Sequence, residues 1–170
     1  MMLGMQLKPQ DLVVALKLAV SGPLTYDQLA SSLDLSKSEA HAAVKRAMAA
    51  GLLLTDRTPN RPAITEFVIH GARYAFPPVR GGMTRGVPTA HAAPPLSELL
   101  TKDKEPVPVW PDPHGSSRGT AFEPLYRSAP MAVATDVKLY ECLCLIDAIR
   151  GGRARERNLA KEHIMRMLHG

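Results

Sequence analysis

Apolar positions in the first fifty residues recur at helical spacing. Leu12, Ala15, Leu16 and Ala19 share one face of a helix opening at Lys8-Pro9-Gln10-Asp11. Pro9 suits the first helical position and Asp11 the positive end of the helix dipole. Ser21-Gly22-Pro23 stops this helix. Thr25 caps a second one, Tyr26 to Leu33, with Leu29, Ala30 and Leu33 facing inward. After a short turn at Asp34-Leu35, Ser36 and Glu39 form a capping box. The third helix runs from Lys37 to Ala50 and ends at Gly51, a residue suited to a left-handed cap. Ala40, Ala43, Val44, Ala47 and Met48 form its buried face. Two short helices joined by a tight turn are the unit of helix-turn-helix packing.

The pattern then shortens. Leu52 to Thr55 reads as a strand, Asp56 to Pro62 as a polar tip, and Ile64 to His70 as a β-branched, aromatic return strand. Gly71 turns the chain into a further strand, Arg73 to Phe76. A helix-turn-helix followed by a hairpin with a basic tip predicts a winged helix over residues 1–76, and an α+β fold for the chain.

Two segments resemble a known group of regulators. The run Leu35-Ser36-Lys37-Ser38-Glu39-Ala40-His41-Ala42-Ala43-Val44-Lys45-Arg46-Ala47, continuing to Gly51-Leu52, resembles the recognition helix and the start of the wing in MarR- and IclR-type bacterial regulators. Leu24-Thr25-Tyr26-Asp27-Gln28-Leu29-Ala30 resembles their T-x-x-x-L-A supporting helix. The resemblance covers about residues 8–76 and implies double-stranded DNA as the partner. Past Phe76 there is neither a long MarR dimerisation helix nor an IclR effector domain, so the ligands of those families do not transfer.

On the third helix, Ser38, His41, Ala42 and Lys45 form the stripe opposite the buried face, with Ser36 and Lys37 at its N-terminal end. Recognition helices present those N-terminal residues to base edges. Ser38 and His41 are short hydrogen-bonding groups, and Ala42 leaves room or meets a thymine methyl. Lys37, Lys45 and Arg46 suit phosphate or guanine. At the hairpin tip, Arg57 and Arg61 flank Pro59, where wings commonly place arginine along a minor groove.

Proline divides the rest. Of 15 prolines, 11 fall between Pro77 and Pro130. Proline blocks helix interiors and removes ladder donors, so residues 77–133 read as an extended Pro/Gly-rich arm without regular helix or central strand. A short helix is expected at Leu96–Leu100. Trp110, Phe122, Leu125 and Tyr126 are anchors that a free linker would not need.

Residues 134–170 read as a helical dimerisation segment. Thr135-Asp136 starts a helix from Val137 to Arg150 that is apolar nearly all round, and such a helix is buried on several sides. A small winged domain offers little to cover it, so a second copy is expected to, with Val137, Tyr140, Leu143, Cys144, Ile146 and Ile149 in the seam. The arm would close over that seam through Trp110, Phe122 and Tyr126. Gly151-Gly152 breaks the helix, and the next begins with Arg153, Arg155 and Arg157. Three arginines at a helix start, after Arg150, oppose the dipole and call for something acidic nearby.

Composition narrows the function. Apolar residues make up 45% and charged residues 22%, which argues against wholesale disorder. No apolar run approaches a membrane span and no leader pattern opens the chain, so a soluble cytoplasmic protein is expected. The 21 Lys and Arg exceed the 16 Asp and Glu, giving a net charge of +5 that suits a nucleic-acid partner. Cys142 and Cys144 point about 200° apart on a helix, which suits neither a disulfide nor a shared metal. The six histidines are scattered, with none paired at ligand spacing, so no metal or cofactor is expected. Asp112-Pro113-His114-Gly115 reads as a turn, and no nucleophile has a neighbouring base, which argues against an enzyme. The expectation is a homodimeric, sequence-specific DNA-binding regulator, most simply a repressor. The rival is an antitoxin or adaptor that holds an operon-encoded partner protein through its arm and C-terminal helices.

Overall fold

The computed structural model describes residues 5–102 and 104–169. Three helices form where the capping signals place them: α1 (Pro9–Ser21), α2 (Tyr26–Leu33) and α3 (Lys37–Ala49). Thr25 and Gln28 cap α2 reciprocally, Ser36 and Glu39 do the same for α3, and Gly22 and Gly51 follow α1 and α3 at φ 82°. The inward stripes meet as expected, with Leu12, Leu16, Leu29, Leu33, Ala40, Ala43 and Val44 at 0% exposure.

The expected hairpin is absent over its second half. Residues 61–70 form helix α4 (Arg61–His70), and Ala72–Ala75 is a short helix, α5. Asn60 caps α4 and Pro62 sits in its first turn. Ile64, Val68 and Ala72 then fall at four-residue spacing and are fully buried. Helical burial of that stripe outweighs the strand preference of Ile64, Thr65, Val68 and Ile69. Of the first strand only one antiparallel bridge survives, Leu53 to Pro59, closing a tight loop.

The proline-rich segment is also more ordered than an arm. It holds strands β1 (Arg80–Pro88), β2 (Pro108–Pro111) and β3 (Ser117–Phe122), each paired with the other two into a small closed barrel. β1 is antiparallel to both partners, and β2 and β3 run parallel. The prolines cause no break because Pro88, Pro108 and Pro111 stand at strand ends, where a missing donor is tolerated. Closure needs glycine at two points. A Cβ on Gly86 would lie 2.0 Å from the Trp110 carbonyl oxygen, and one on Gly119 would lie 2.0 Å from that of Val107. A 3₁₀ turn (Ala90–Ala92) and a short helix, α6 (Leu96–Leu99), link β1 to β2, the latter where a helix was expected. Asp112 to Gly115 is the turn between β2 and β3, as its composition indicated.

Helices α7 (Ala129–Val133), α8 (Val137–Gly151) and α9 (Ala154–His169) complete the chain. Asp136 caps α8 by accepting the Leu139 N–H at 3.0 Å. The chain buries α8 by itself. Leu143, Cys144, Ile146 and Ile149 are at most 1% exposed within one copy, packed among α1, α5, α9 and the 3₁₀ turn. These four cannot form a dimer seam; Tyr140 is half-buried, its hydroxyl donating to the Pro88 carbonyl. Val137 is 70% exposed at the start of the helix. The apolar residues of α1–α4, α8 and α9 make one continuous core, so the last third is part of that core rather than a separate dimerisation segment. What the sequence hid was the cover: the proline-rich segment and α9 fold back onto α8.

One buried polar cluster ties the barrel to this core. Asp147, 1% exposed, accepts hydrogen bonds from Thr89 Oγ1 (2.6 Å), Trp110 Nε1 (2.7 Å) and Arg150 Nη1 (2.7 Å). Arg150 also donates to the Phe76 carbonyl at 2.8 Å and lies over the Phe122 ring. Every one of these donors has a partner, as buried polar groups require. Burial pushes the Asp147 carboxyl above the usual carboxylate range, against the pull of Arg150, Thr89 and Trp110. Burial likewise pushes the Cys142 thiol up to about 12. Both cysteines are buried free thiols.

Candidate nucleic-acid interface

Helix α3 turns one face into the core and leaves the other to solvent. Ser38, His41 and Lys45 are exposed and Ala42 is half-buried, in the stripe expected from the spacing. The turn before it is held firmly. Asp34 adopts a left-handed conformation (φ 54°), and its N–H and that of Leu35 bond back to the end of α2. Tyr126, from the proline-rich segment, donates its hydroxyl to the Leu33 carbonyl at 3.2 Å, and Ser128 reaches Asp34 at 3.3 Å. Burial drives the Tyr126 phenol pKa upward, so it stays a donor. One anchor read from the sequence, Tyr126, therefore holds the turn that precedes α3.

His41 does not stand alone. Its ring stacks on Tyr26 with centroids 3.5 Å apart and planes 17° apart. The Arg57 guanidinium covers the same tyrosine at 4.5 Å from the ring centroid. This stack joins α2, α3 and the 54–60 loop, and Arg57 itself sits at φ 69° to reach it. A cation over an exposed aromatic ring contributes about 0.5–1 kcal/mol. The greater effect is positional: the exposed histidine is held by its ring face on Tyr26. Tyr26 was missed in the sequence because a residue in a helix's first turn gives no sign of what lies across from it.

The remaining expected contacts divide. Lys37 is exposed and lies 3.3 Å from Asp27, a surface pair weak enough for a phosphate to displace. Lys45 makes no ion pair among the described residues. Ser36 lies at the helix start with its hydroxyl accepting the Glu39 N–H at 3.0 Å, and Glu39 returns the bond to the Ser36 N–H. Two arginines are committed elsewhere. Arg46 forks onto Asp11 with bonds of 2.8 and 2.9 Å, and Asp11 is 0% exposed. That bond holds the guanidinium still more firmly protonated. Removing Arg46 would leave the buried Asp11 carboxylate with the Lys8 N–H as its remaining donor, so the guanidinium braces α3 on α1 instead of standing free for a phosphate. Arg61 donates to the carbonyls of Ala19 (2.7 Å) and Leu168 (3.0 Å), neutralising the negative ends of α1 and α9. It too is a brace, placed there because residue 61 begins a helix rather than ending a loop.

No known protein family, curated protein or solved structure matches this chain. The functional reading rests on the surface itself. Among the described residues no group of three His, Cys, Asp or Glu side chains is placed to hold a metal ion, and no helix is long and apolar enough to cross a membrane.

Proposed function

We propose that the protein binds double-stranded DNA sequence-specifically through α3 and acts as a transcriptional regulator. The observation that carries this reading is the solvent-facing stripe of Ser38, His41 and Lys45 on a helix whose opposite face is buried on α1 and α2. A helix presented in this way fits the major groove, with Ser38 and His41 toward base edges and Lys37 and Lys45 toward phosphates. On this reading the 54–60 loop takes the place of a wing. Arg57 is its basic group, free to exchange the Tyr26 face for a phosphate at small cost. If two copies read two half-sites, they pair through a surface other than the buried face of α8.

The experiment is a footprint of the purified chain on the DNA upstream of its own coding sequence, at about 100 mM salt. A protected segment that survives excess random duplex supports the reading. Protection that random duplex removes completely contradicts it, since non-specific phosphate contacts alone would explain such binding.

A further inference from the structure

A second feature of the molecule lies apart from α3. Where α8 gives way to α9, a cleft of about 530 Å³ opens between the barrel, the 3₁₀ turn and residues Gly151 to Glu156. Its apolar side is made by Leu100 and Pro106, above the buried Phe122 ring. Its rim carries three arginines, Arg80, Arg153 and Arg155, against two carboxylates, Glu105 and Glu156. The arginines include two whose position at a helix start opposes the dipole.

The structure answers only part of that excess charge. Glu156 accepts the Arg153 N–H at 2.9 Å and lies 3.6 Å from His91, and Glu105 takes the Arg153 guanidinium at 2.7 Å. Arg157 turns back to the Gly152 carbonyl at 2.9 Å, outside the cleft. Arg80 donates one Nη2 bond to the Gly151 carbonyl and rests on Phe122, 5.0 Å from the ring centroid. Its other donors are not used by that bond. Arg155 makes no ion pair among the described residues. Both carboxylates in the cleft are thus engaged, while Arg80 and Arg155 keep donors for a guest.

The two glycines keep the cleft open. A Cβ on Gly151 would lie 2.9 Å from both Arg80 Nη2 and Phe122 Cε2, displacing a rim arginine and the ring it rests on. Gly152 has no room either, its Cβ lying 2.4 Å from the Ala148 carbonyl oxygen.

We infer that this cleft binds a small organic anion, a phosphate or carboxylate carried on a compact apolar body, with the anion on Arg155 and Arg80 and the body against Leu100 and Pro106. Small-molecule sites combine apolar walls with a few convergent polar groups in this way, and the volume is in their usual range. DNA fits less well, because a concave pocket with an apolar side does not follow a phosphate backbone. This inference does not depend on the reading of α3.

The test is calorimetric titration of the full chain with four probes: phenyl phosphate, benzoate, inorganic phosphate and benzyl alcohol. The first two carry both features, the third only the charge and the fourth only the body. Phenyl phosphate or benzoate should bind at least tenfold more tightly than inorganic phosphate or benzyl alcohol. Arg155→Gln, an exposed change that leaves the fold intact, should weaken that binding about tenfold, and Gly151→Ala should abolish it. The melting temperature of Gly151→Ala, measured alongside, separates a blocked cleft from an unfolded chain. No binding of either organic anion at 5 mM overturns the inference, as does binding that ignores Arg155→Gln. Displacement of phenyl phosphate by short duplex DNA would make the cleft part of a DNA surface and overturn it as well.

Discussion

Replacing Asp147 with alanine removes the acceptor shared by Thr89, Trp110 and Arg150. Breaking a buried ion pair from one side costs about 3–5 kcal/mol, because the stranded charge stays out of water. Two neutral donors, the Thr89 hydroxyl and the Trp110 indole, lose their partner in the same step. Each would cost about 1–3 kcal/mol if it stayed dry, but the three losses occur at one site and do not add. A total of about 4–5 kcal/mol is the expectation. For a chain of this size each kcal/mol shifts the melting temperature by about 2–4 °C, so a fall of roughly 8–20 °C should follow. Circular dichroism gives the melting curve. The single tryptophan, Trp110, is itself one of the donors, so its fluorescence reports the local change. The double variant Asp147→Leu with Arg150→Met should recover part of the loss, because no buried charge is then left unpaired. An Asp147→Ala protein within about 1 kcal/mol of wild type, or a double variant less stable than the single one, would refute this role for the cluster.

Three further outcomes follow from contacts already described. Arg46→Ala should lower stability by about 3 kcal/mol in urea titrations by removing the charged partner of Asp11, whereas Lys45→Ala should change it by less than about 0.5 kcal/mol. Leu143→Asp should unfold or severely destabilise the chain, since an unpaired carboxylate enters the core. Sedimentation should show the assembly state of the wild type unchanged in any folded fraction. For Asp136, burial raises the carboxyl pKa, but the Lys17, Leu139 and Ser21 hydrogen bonds and the Lys17 charge outweigh it and hold the value below the usual range. A depressed folded value makes this contribution fully present above the unfolded carboxylate value, about 3.9, and lost as pH falls through the folded one. The stability difference between wild type and Lys17→Met, from urea midpoints, should therefore hold from pH 5 to 7 and shrink below about pH 4. A difference independent of pH would mean that the ion pair is not its source.

Local signals located what local chemistry decides. The caps at Thr25, Ser36 and Asp136 and the terminating glycines 22 and 51 put α1, α2, α3 and α8 within a residue or two of where they lie, and the exposed stripe of α3 followed from its register. Apart from residues 64–70, the failures concern partners distant in sequence. Residues 64–70 carry strand-forming side chains, yet Asn60, Pro62 and the four-residue spacing of Ile64, Val68 and Ala72 were helix signals outweighed by composition. The prolines of the middle third suggested an extended arm and hid the three strands that lie between them. The apolar circumference of α8 correctly required cover on several sides, and the cover came from the same chain. Arg46 and Arg61 looked like DNA contacts because nothing near them in sequence hints at Asp11 or at the carbonyls of Ala19 and Leu168.

The central claim is that α3 reads bases. It is tested most directly by selecting a preferred duplex from a random library and measuring the affinity of wild type, Ser38→Ala, His41→Ala and Lys45→Ala for that duplex and its single-base variants by fluorescence anisotropy. Ser38→Ala and His41→Ala should each lose discrimination at one or two base positions, by about 1–3 kcal/mol. Lys45→Ala should weaken every sequence alike and flatten the salt dependence. A selection that yields no preferred duplex, or variants whose losses are the same on every sequence, would contradict it.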